Sequence, residues 1–214
     1  MVELLGGYPV NLDVAGRPVL VVGGGPVAGR KAAGLVAAGA SVTVVAPEVG
    51  DVVEGLIEAG AVTHLRRRYA PGDARRHRLV ITATGVPEVD ASVAADADAA
   101  GVWVNSADDQ ANCSFILPAI FRDGPVSVAV STSGASPALA SWLRDQLSEA
   151  TSQLLGGGVA DLAGLLSAAR AQVKASGRSS ETIDWRSLLD GPLPGLVRAG
   201  RLGDAQSLLD GAIG

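Results

Sequence analysis

The stretch Val19 to Lys31, VLVVGGGPVAGRK, constrains the fold more than any other part of the chain. Val19 to Val22 is a short β-branched run with the character of a buried parallel strand. Gly23, Gly25 and Ala28 then follow at the G-x-G-x-x-G/A spacing of a dinucleotide-binding turn. Gly23 permits a sharp turn off the strand, Gly25 lets backbone approach a pyrophosphate, and Ala28 keeps the next helix close to the sheet. Pro26 occupies the first helical position, where its fixed φ is favourable and its missing N–H costs nothing. The amides from Val27 onward are then available to an anion. Glycine-rich turns also occur without a ligand, and this chain has 28 glycines to scatter, so context has to decide. An apolar helix with Ala32, Leu35 and Val36 follows the turn, and a second β-branched run, Ser41 to Val45, returns where a crossover would place it.

A chain of 214 residues has room for one nucleotide-binding domain and a smaller appendage. Composition that is 48% hydrophobic but only 3% aromatic implies a core of Ala, Val and Leu, as in ordinary α/β proteins. The net charge of −5 argues against a nucleic-acid partner, which requires a basic face. Cys113 is the single cysteine, so an intrachain disulfide and a thiolate metal cage are both excluded. His64 and His77 lie in a charged region without acidic residues at ligand spacing, and no metal site is expected. The opening MVELLGGYPVNLDVAG lacks a basic segment leading into a long apolar core, and no apolar run reaches the ~18 residues of a membrane helix. These features predict a soluble cytoplasmic protein in a reducing compartment, with no membrane partner.

Tyr8 to Leu12 and the turn at Ala15-Gly16-Arg17 form a lead-in to the first strand. The first helix is expected to run to about Ala38 and to stop at Gly39. At the end of strand two, Ser41 to Ala46, the position of the usual ribose-binding acid falls on Ala46. Glu48, just past Pro47, is the nearest carboxylate, and it is either a ribose ligand or a solvated loop acid. The absence of a basic residue nearby in sequence favours NAD over its phosphorylated relative. A helix over Val52 to Ala59 and a strand over Val62 to Leu65 come next. Arg66, Arg67, Arg68, Arg75, Arg76 and Arg78 then form the one basic cluster, either a solvated edge or a contact for a carboxylate-rich ligand.

Leu79 to Thr84 reads as a fourth strand, and Pro87 opens an alanine-rich helix running to about Ala100. Strand five, Val102 to Asn105, leads into Ser106-Ala107-Asp108-Asp109. That loop belongs on the rim where open parallel sheets bind ligands. By position alone Asp108 and Asp109 are each either a turn former or a reacting carboxylate.

From Cys113 the βαβ rhythm stops. Ser114 to Phe121 and Val126 to Ser131 read as two strands joined by Arg122-Asp123-Gly124-Pro125. Ser136-Pro137 caps a helix over Pro137 to Leu147 whose Leu139, Leu143 and Leu147 make an apolar stripe. Such a piece is too small to fold alone and is expected to pack on the first domain or on a second copy of itself. Gly156-Gly157-Gly158 marks a break, and short helices punctuated by glycine and proline follow to the end. Cys113 itself reads as a small buried hydrophobe.

Four stretches together resemble the precorrin-2 dehydrogenase / sirohydrochlorin ferrochelatase family, the N-terminal module of siroheme synthases. They are YPVNLDVAGRPVLVVGGGPVAGRKAAGLVAAGASVTVVAPE, ITATGVPEVD, VNSADDQANCSFILPAI and VSVAVSTSGASPALASWLRDQL, in order over about residues 8 to 150. The resemblance implies a Rossmann-type parallel-sheet α/β domain over 1–112 that binds NAD and a small α+β dimerisation segment over 113–150; residues 151–214 match the family poorly, and the helical C-terminal domain expected there is read from its own glycine- and proline-punctuated helices. The resemblance also implies a homodimer that oxidises precorrin-2 to sirohydrochlorin, with metal chelation as an optional second activity. Matched motif by motif, the cofactor contacts are Gly23, Gly25, Pro26, Val27, Pro47 and Glu48. The catalytic aspartate of the V-N-x-x-D motif falls on Asp108, with Asp109 its bystander. Thr132 and Ser133 depart from the pattern by replacing a serine-glycine pair. A rival of a different class is a non-catalytic module that senses NAD through the same turn; Asp108 and the hairpin-plus-helix segment discriminate against it.

Overall fold

The structure is a computed structural model that describes residues 7–107 and 109–214. Asp108, the expected catalytic residue, therefore lies outside the described residues. The chain divides into two units, one ending at Leu117 and one spanning Pro118–Gly214.

The first unit is built on five parallel strands, β1 (Pro18–Val22), β2 (Ser41–Val45), β3 (Val62–Leu65), β4 (Leu79–Thr82) and β5 (Trp103–Ser106), in the order β3-β2-β1-β4-β5. Helices α1 (Pro26–Ala37), α2 (Asp51–Glu58) and α3 (Pro87–Ala99) connect them. Alternation along β1 explains why its sequence is apolar throughout. Val19 and Val21 enter a cluster with Ala28 and Ala32 of α1 and Val53 of α2, while Leu20 and Val22 enter another with Val93, Ala94 and Ala97 of α3. Both faces of the strand are thus covered, as a parallel sheet requires. Each such Val or Leu contributes about 1.5–3 kcal/mol on full burial.

Two loops guard the sheet edges. On the β5 side, Ser114 N donates to Val104 O at 2.8 Å, Val104 N donates to Ser114 Oγ at 2.7 Å, and Asn105 Nδ2 donates to Phe115 O at 3.0 Å. Residues 114–115 are spent covering this edge, and Pro118 supplies no N–H, so the expected strand from Ser114 starts only at Ala119. Beyond β3, Arg67 grips Asp73 through two hydrogen bonds of 2.7 and 2.9 Å, which hold the Asp73 carboxyl below its usual range. Tyr69 donates its hydroxyl to Asp96, lowering that carboxyl in turn. Arg66, Arg68, Arg75, Arg76 and Arg78 are exposed.

In the second unit an antiparallel pair, β6 (Ala119–Asp123) and β7 (Val126–Val130), turns through Gly124-Pro125. Helix α4 (Pro137–Leu155) packs on the hairpin and continues two turns past the expected end at Leu147. Its Ser136 cap accepts from Leu139 N at 3.2 Å. The chain then forms α5 (Val159–Ala175), α6 (Trp185–Asp190), α7 (Leu193–Arg198) and α8 (Leu202–Ile213). Leu155 from the end of α4, together with Val159, Leu162, Leu193, Val197 and Leu209, makes one core, with Val126 of the hairpin against it. The hairpin and α4 therefore share a unit with the C-terminal helices, a partner the sequence did not suggest. The expected divisions at 112 and 150 fall inside these two units, because residues 113–117 are tied to β5 and α4 runs through position 150 into the helical core. Among the described residues, no single helix is long and apolar enough to cross a membrane; α4 and α5 pass only as a pair bent by 66°.

Ser133 has φ +51, the one non-glycine residue among those described in the left-handed region. This is one of the two positions where the sequence departs from the family pattern, and the side chain is strained there by about 1 kcal/mol. Ser133→Gly is expected to raise the stability of the second unit by about 0.5–1 kcal/mol in denaturant unfolding.

Candidate functional site

The carboxyl ends of the five strands share one rim, and the strand order reverses between β1 and β4. In such sheets that reversal opens the ligand crevice. The glycine turn sits on its β1 side. Gly23 has φ +120, and a Cβ there would lie 2.3 Å from Ala83 O, so the turn is pressed against the segment leaving β4. Gly24 is confined equally: a Cβ would lie 2.1 Å from Glu48 O, and Gly50 N donates to Gly24 O at 2.9 Å. Gly25 differs from both. A Cβ there would meet nothing within 4 Å, and its φ of −76° is open to any residue. Pro26 starts α1, Gly29 N closes the first turn on Gly25 O at 2.9 Å, and among the described residues the amides of Val27 and Ala28 find no acceptor. The turn therefore has two glycines pinned by neighbouring backbone and a third facing open space before free amides. This geometry suits a pyrophosphate.

The structure brings Pro47 and Glu48 beside this turn, both exposed, with Glu48 touching it through its carbonyl. Val45 pairs with Leu65, so Arg66–Arg68 continue onto the same rim as Glu48, whereas Arg78 N reaches Pro18 O at 2.8 Å on the opposite rim. Basic residues thus do share a rim with Glu48, which sequence spacing concealed; of these, Arg67 is committed to Asp73. His64 Nε2 lies 3.0 Å from Ala46 O and secures the end of β2. Among the described residues no cluster of His, Cys, Asp or Glu could hold a metal.

The loop after β5 leaves the same rim. Asp109 caps the turn that follows: Oδ1 accepts from Ala111 N at 3.1 Å and Oδ2 from Asn112 Nδ2 at 2.7 Å. Both of its oxygens are engaged in holding the loop. Ala107 N donates to Thr82 O at 2.9 Å, so the residues on either side of Asp108 are anchored. Cys113 is half-buried, and its sulfur does more than fill space. Sγ accepts from Ser106 N at 3.1 Å and lies 3.3 Å from the carbonyls of Ser106 and Asp109, closing the loop. Burial pushes its thiol up, against the opposing Ser106 amide. Gly24, Asn105 and Cys113 are the site residues that sequence reasoning missed. Their roles come from contacts with distant segments, although the Asn105 position was visible within the V-N-x-x-D motif.

An NAD(P)-binding family model matches residues 10–119, and the model of the central part of sirohaem biosynthesis proteins matches residues 123–150. The siroheme synthase of Chromobacterium violaceum is 40% identical over 195 residues, covering 90% of this chain and 41% of that protein. That of Stutzerimonas stutzeri is 39% identical over 203 residues, covering 94% of this chain and 43% of the relative. The chain thus spans about two fifths of the length of these relatives. Among solved structures, SirC, a precorrin-2 dehydrogenase, superposes with a TM-score of 0.70 at 26% identity, covering 95% of this chain and 99% of the other.

Proposed function

Because the chain belongs to the NAD(P)-binding family of siroheme-biosynthesis proteins that its sequence resembles, we propose that it is an NAD-dependent dehydrogenase oxidising precorrin-2 to sirohydrochlorin. One observation carries the reading: the glycine turn at the β1–β4 reversal, with Gly25 open to a ligand, shares its rim with the loop that bears Asp108. A dinucleotide fits this cradle, since Gly23 and Gly24 leave no room for side chains and Gly25 leaves space where a phosphate would lie. Gly23, Gly25, Pro26 and Val27 would hold the pyrophosphate, and Pro47 and Glu48 the adenosine ribose. NAD, when bound, would supply the acceptor for the hydride, one hydrogen with its two electrons, lost from a saturated carbon of the reduced tetrapyrrole. Asp108 acts as general base for the macrocycle proton lost in the same oxidation. The ties at Ala107, Asp109 and Cys113 fix the loop on both sides of it. Formation of NADH together with sirohydrochlorin by the purified protein is the experiment that tests the reading.

A homodimer is supported by α4, which leaves Leu139, Trp142, Leu147 and Leu154 exposed at 47, 58, 45 and 62%. Exposed apolar surface of this kind marks a protein contact. Leu147→Asp is expected to convert a dimer to monomer in light scattering at micromolar concentration, with unit folding intact by circular dichroism. A cytoplasmic location is supported by the NAD reaction and the unpaired Cys113.

A further inference from the structure

Asp90, in the first turn of α3, has no role in the chemistry above, yet one of its oxygens gathers three hydrogen bonds. Oδ1 accepts from Thr84 Oγ1 at 2.8 Å, from Thr84 N at 3.2 Å, and from Thr82 Oγ1. Thr84 Oγ1 also accepts from Val86 N at 3.1 Å, so the whole turn from β4 into α3 is gathered on this carboxylate. Thr82 is fully buried at the end of β4, and there Asp90 reaches it.

What this turn touches gives the contact its meaning. On one side, Ala83 N donates to Val22 O at 2.9 Å, and Ala83 O is the atom against which Gly23 is pressed. On the other, Thr82 O accepts from Ala107 N at 2.9 Å, one residue before Asp108. Thr82 and Ala83 are therefore the backbone link between the glycine turn and the loop carrying the proposed base. Asp90 fixes that link from the helix side.

We infer that Asp90 is a positioning residue for the dehydrogenase: its Oδ1 sets the Thr82–Thr84 wall of the crevice, and through it the placement of the dinucleotide relative to the Asp108 loop. The inference rests on the reading of this crevice as the NAD site. The requirement is for an acceptor at this point, since all three contacts are donated to one oxygen; a side-chain amide provides the same oxygen without the charge. Displacements of about 1 Å in such a wall cost reaction rates up to ~100-fold, whereas a contact that only holds a loop together costs stability alone.

The test compares wild type with Asp90→Ala, Asp90→Asn and Thr84→Val at a temperature where each is folded by circular dichroism. NAD dissociation constants come from calorimetry, and KM and kcat from NADH formation. Asp90→Ala is expected to raise the dissociation constant and KM for NAD by about tenfold and to lower kcat by about tenfold. Asp90→Asn should stay within about threefold of wild type, and Thr84→Val, which removes one of the three donors, should fall between. A folded Asp90→Ala with lowered melting temperature but unchanged NAD affinity, KM and kcat overturns the inference, and so does an Asp90→Asn as impaired as the alanine variant. If Asp90→Ala does not fold, Thr84→Val decides, an unchanged NAD affinity counting against. Absence of NADH from the wild type instead overturns the dehydrogenase reading, and the dissociation constants still decide the role of Asp90.

Discussion

Asp108→Ala is expected to lower the turnover of precorrin-2 by about 100- to 10,000-fold while leaving the NAD dissociation constant within about twofold. The split follows from where the residue sits in the chain. The dinucleotide cradle is assembled from the ends of β1 and β2, whereas Asp108 follows β5, which is separated from β1 by β4. Among the described residues, the glycine turn rests on the backbone of Ala83 and Glu48. Removal of a general base strikes the chemical step, and affinity for a cofactor bound through backbone amides is untouched. The neighbouring Asp109→Ala is the control. Its carboxylate holds Ala111 N and Asn112 Nδ2, so its loss loosens the loop and reduces turnover to a smaller extent. Equal losses in the two variants would mean that loop order, and not the Asp108 carboxylate, is what turnover requires.

Gly24→Ala and Gly25→Ala are expected to fail in opposite ways. A Cβ on Gly24 would stand 2.1 Å from Glu48 O, a backbone atom that cannot swing aside. Either β1 or the segment after β2 must move, at a cost of about 3 kcal/mol, and thermal unfolding should register it. A Cβ on Gly25 meets no protein atom within 4 Å and needs no change of φ. That variant should unfold like wild type, yet bind NAD at least about tenfold more weakly, because the new methyl occupies the space left for the pyrophosphate. Normal NAD affinity in a folded Gly25→Ala would remove the turn from the binding site.

Much of this was legible in the sequence because it is local. The strand, the turn, Pro26 and the buried Ala28 all lie within ten residues, and their spacing carries the geometry. Gly24 and Gly29 were not legible. The first is confined by Glu48, and the second by Val52, whose Cβ would stand 2.9 Å from an added methyl; both neighbours belong to the next βα unit. Asp90 reads from sequence as an ordinary acid in a first helical turn, and only the folded β4–α3 connection aims its oxygen at Thr82 and Thr84. The second unit was read least well. Its core joins Leu155 to Leu193, Val197 and Leu209, contacts that no helical period announces.

The most direct measurement is an anaerobic assay of the purified protein with precorrin-2 and NAD, following NADH at its absorbance and the tetrapyrrole spectrum together. NADH and sirohydrochlorin are expected in equal amounts, and subsequent addition of Fe²⁺ or Co²⁺ reads chelation separately. Saturable NAD binding with no NADH formed from precorrin-2 would contradict the dehydrogenase reading and leave a cofactor-sensing module in its place.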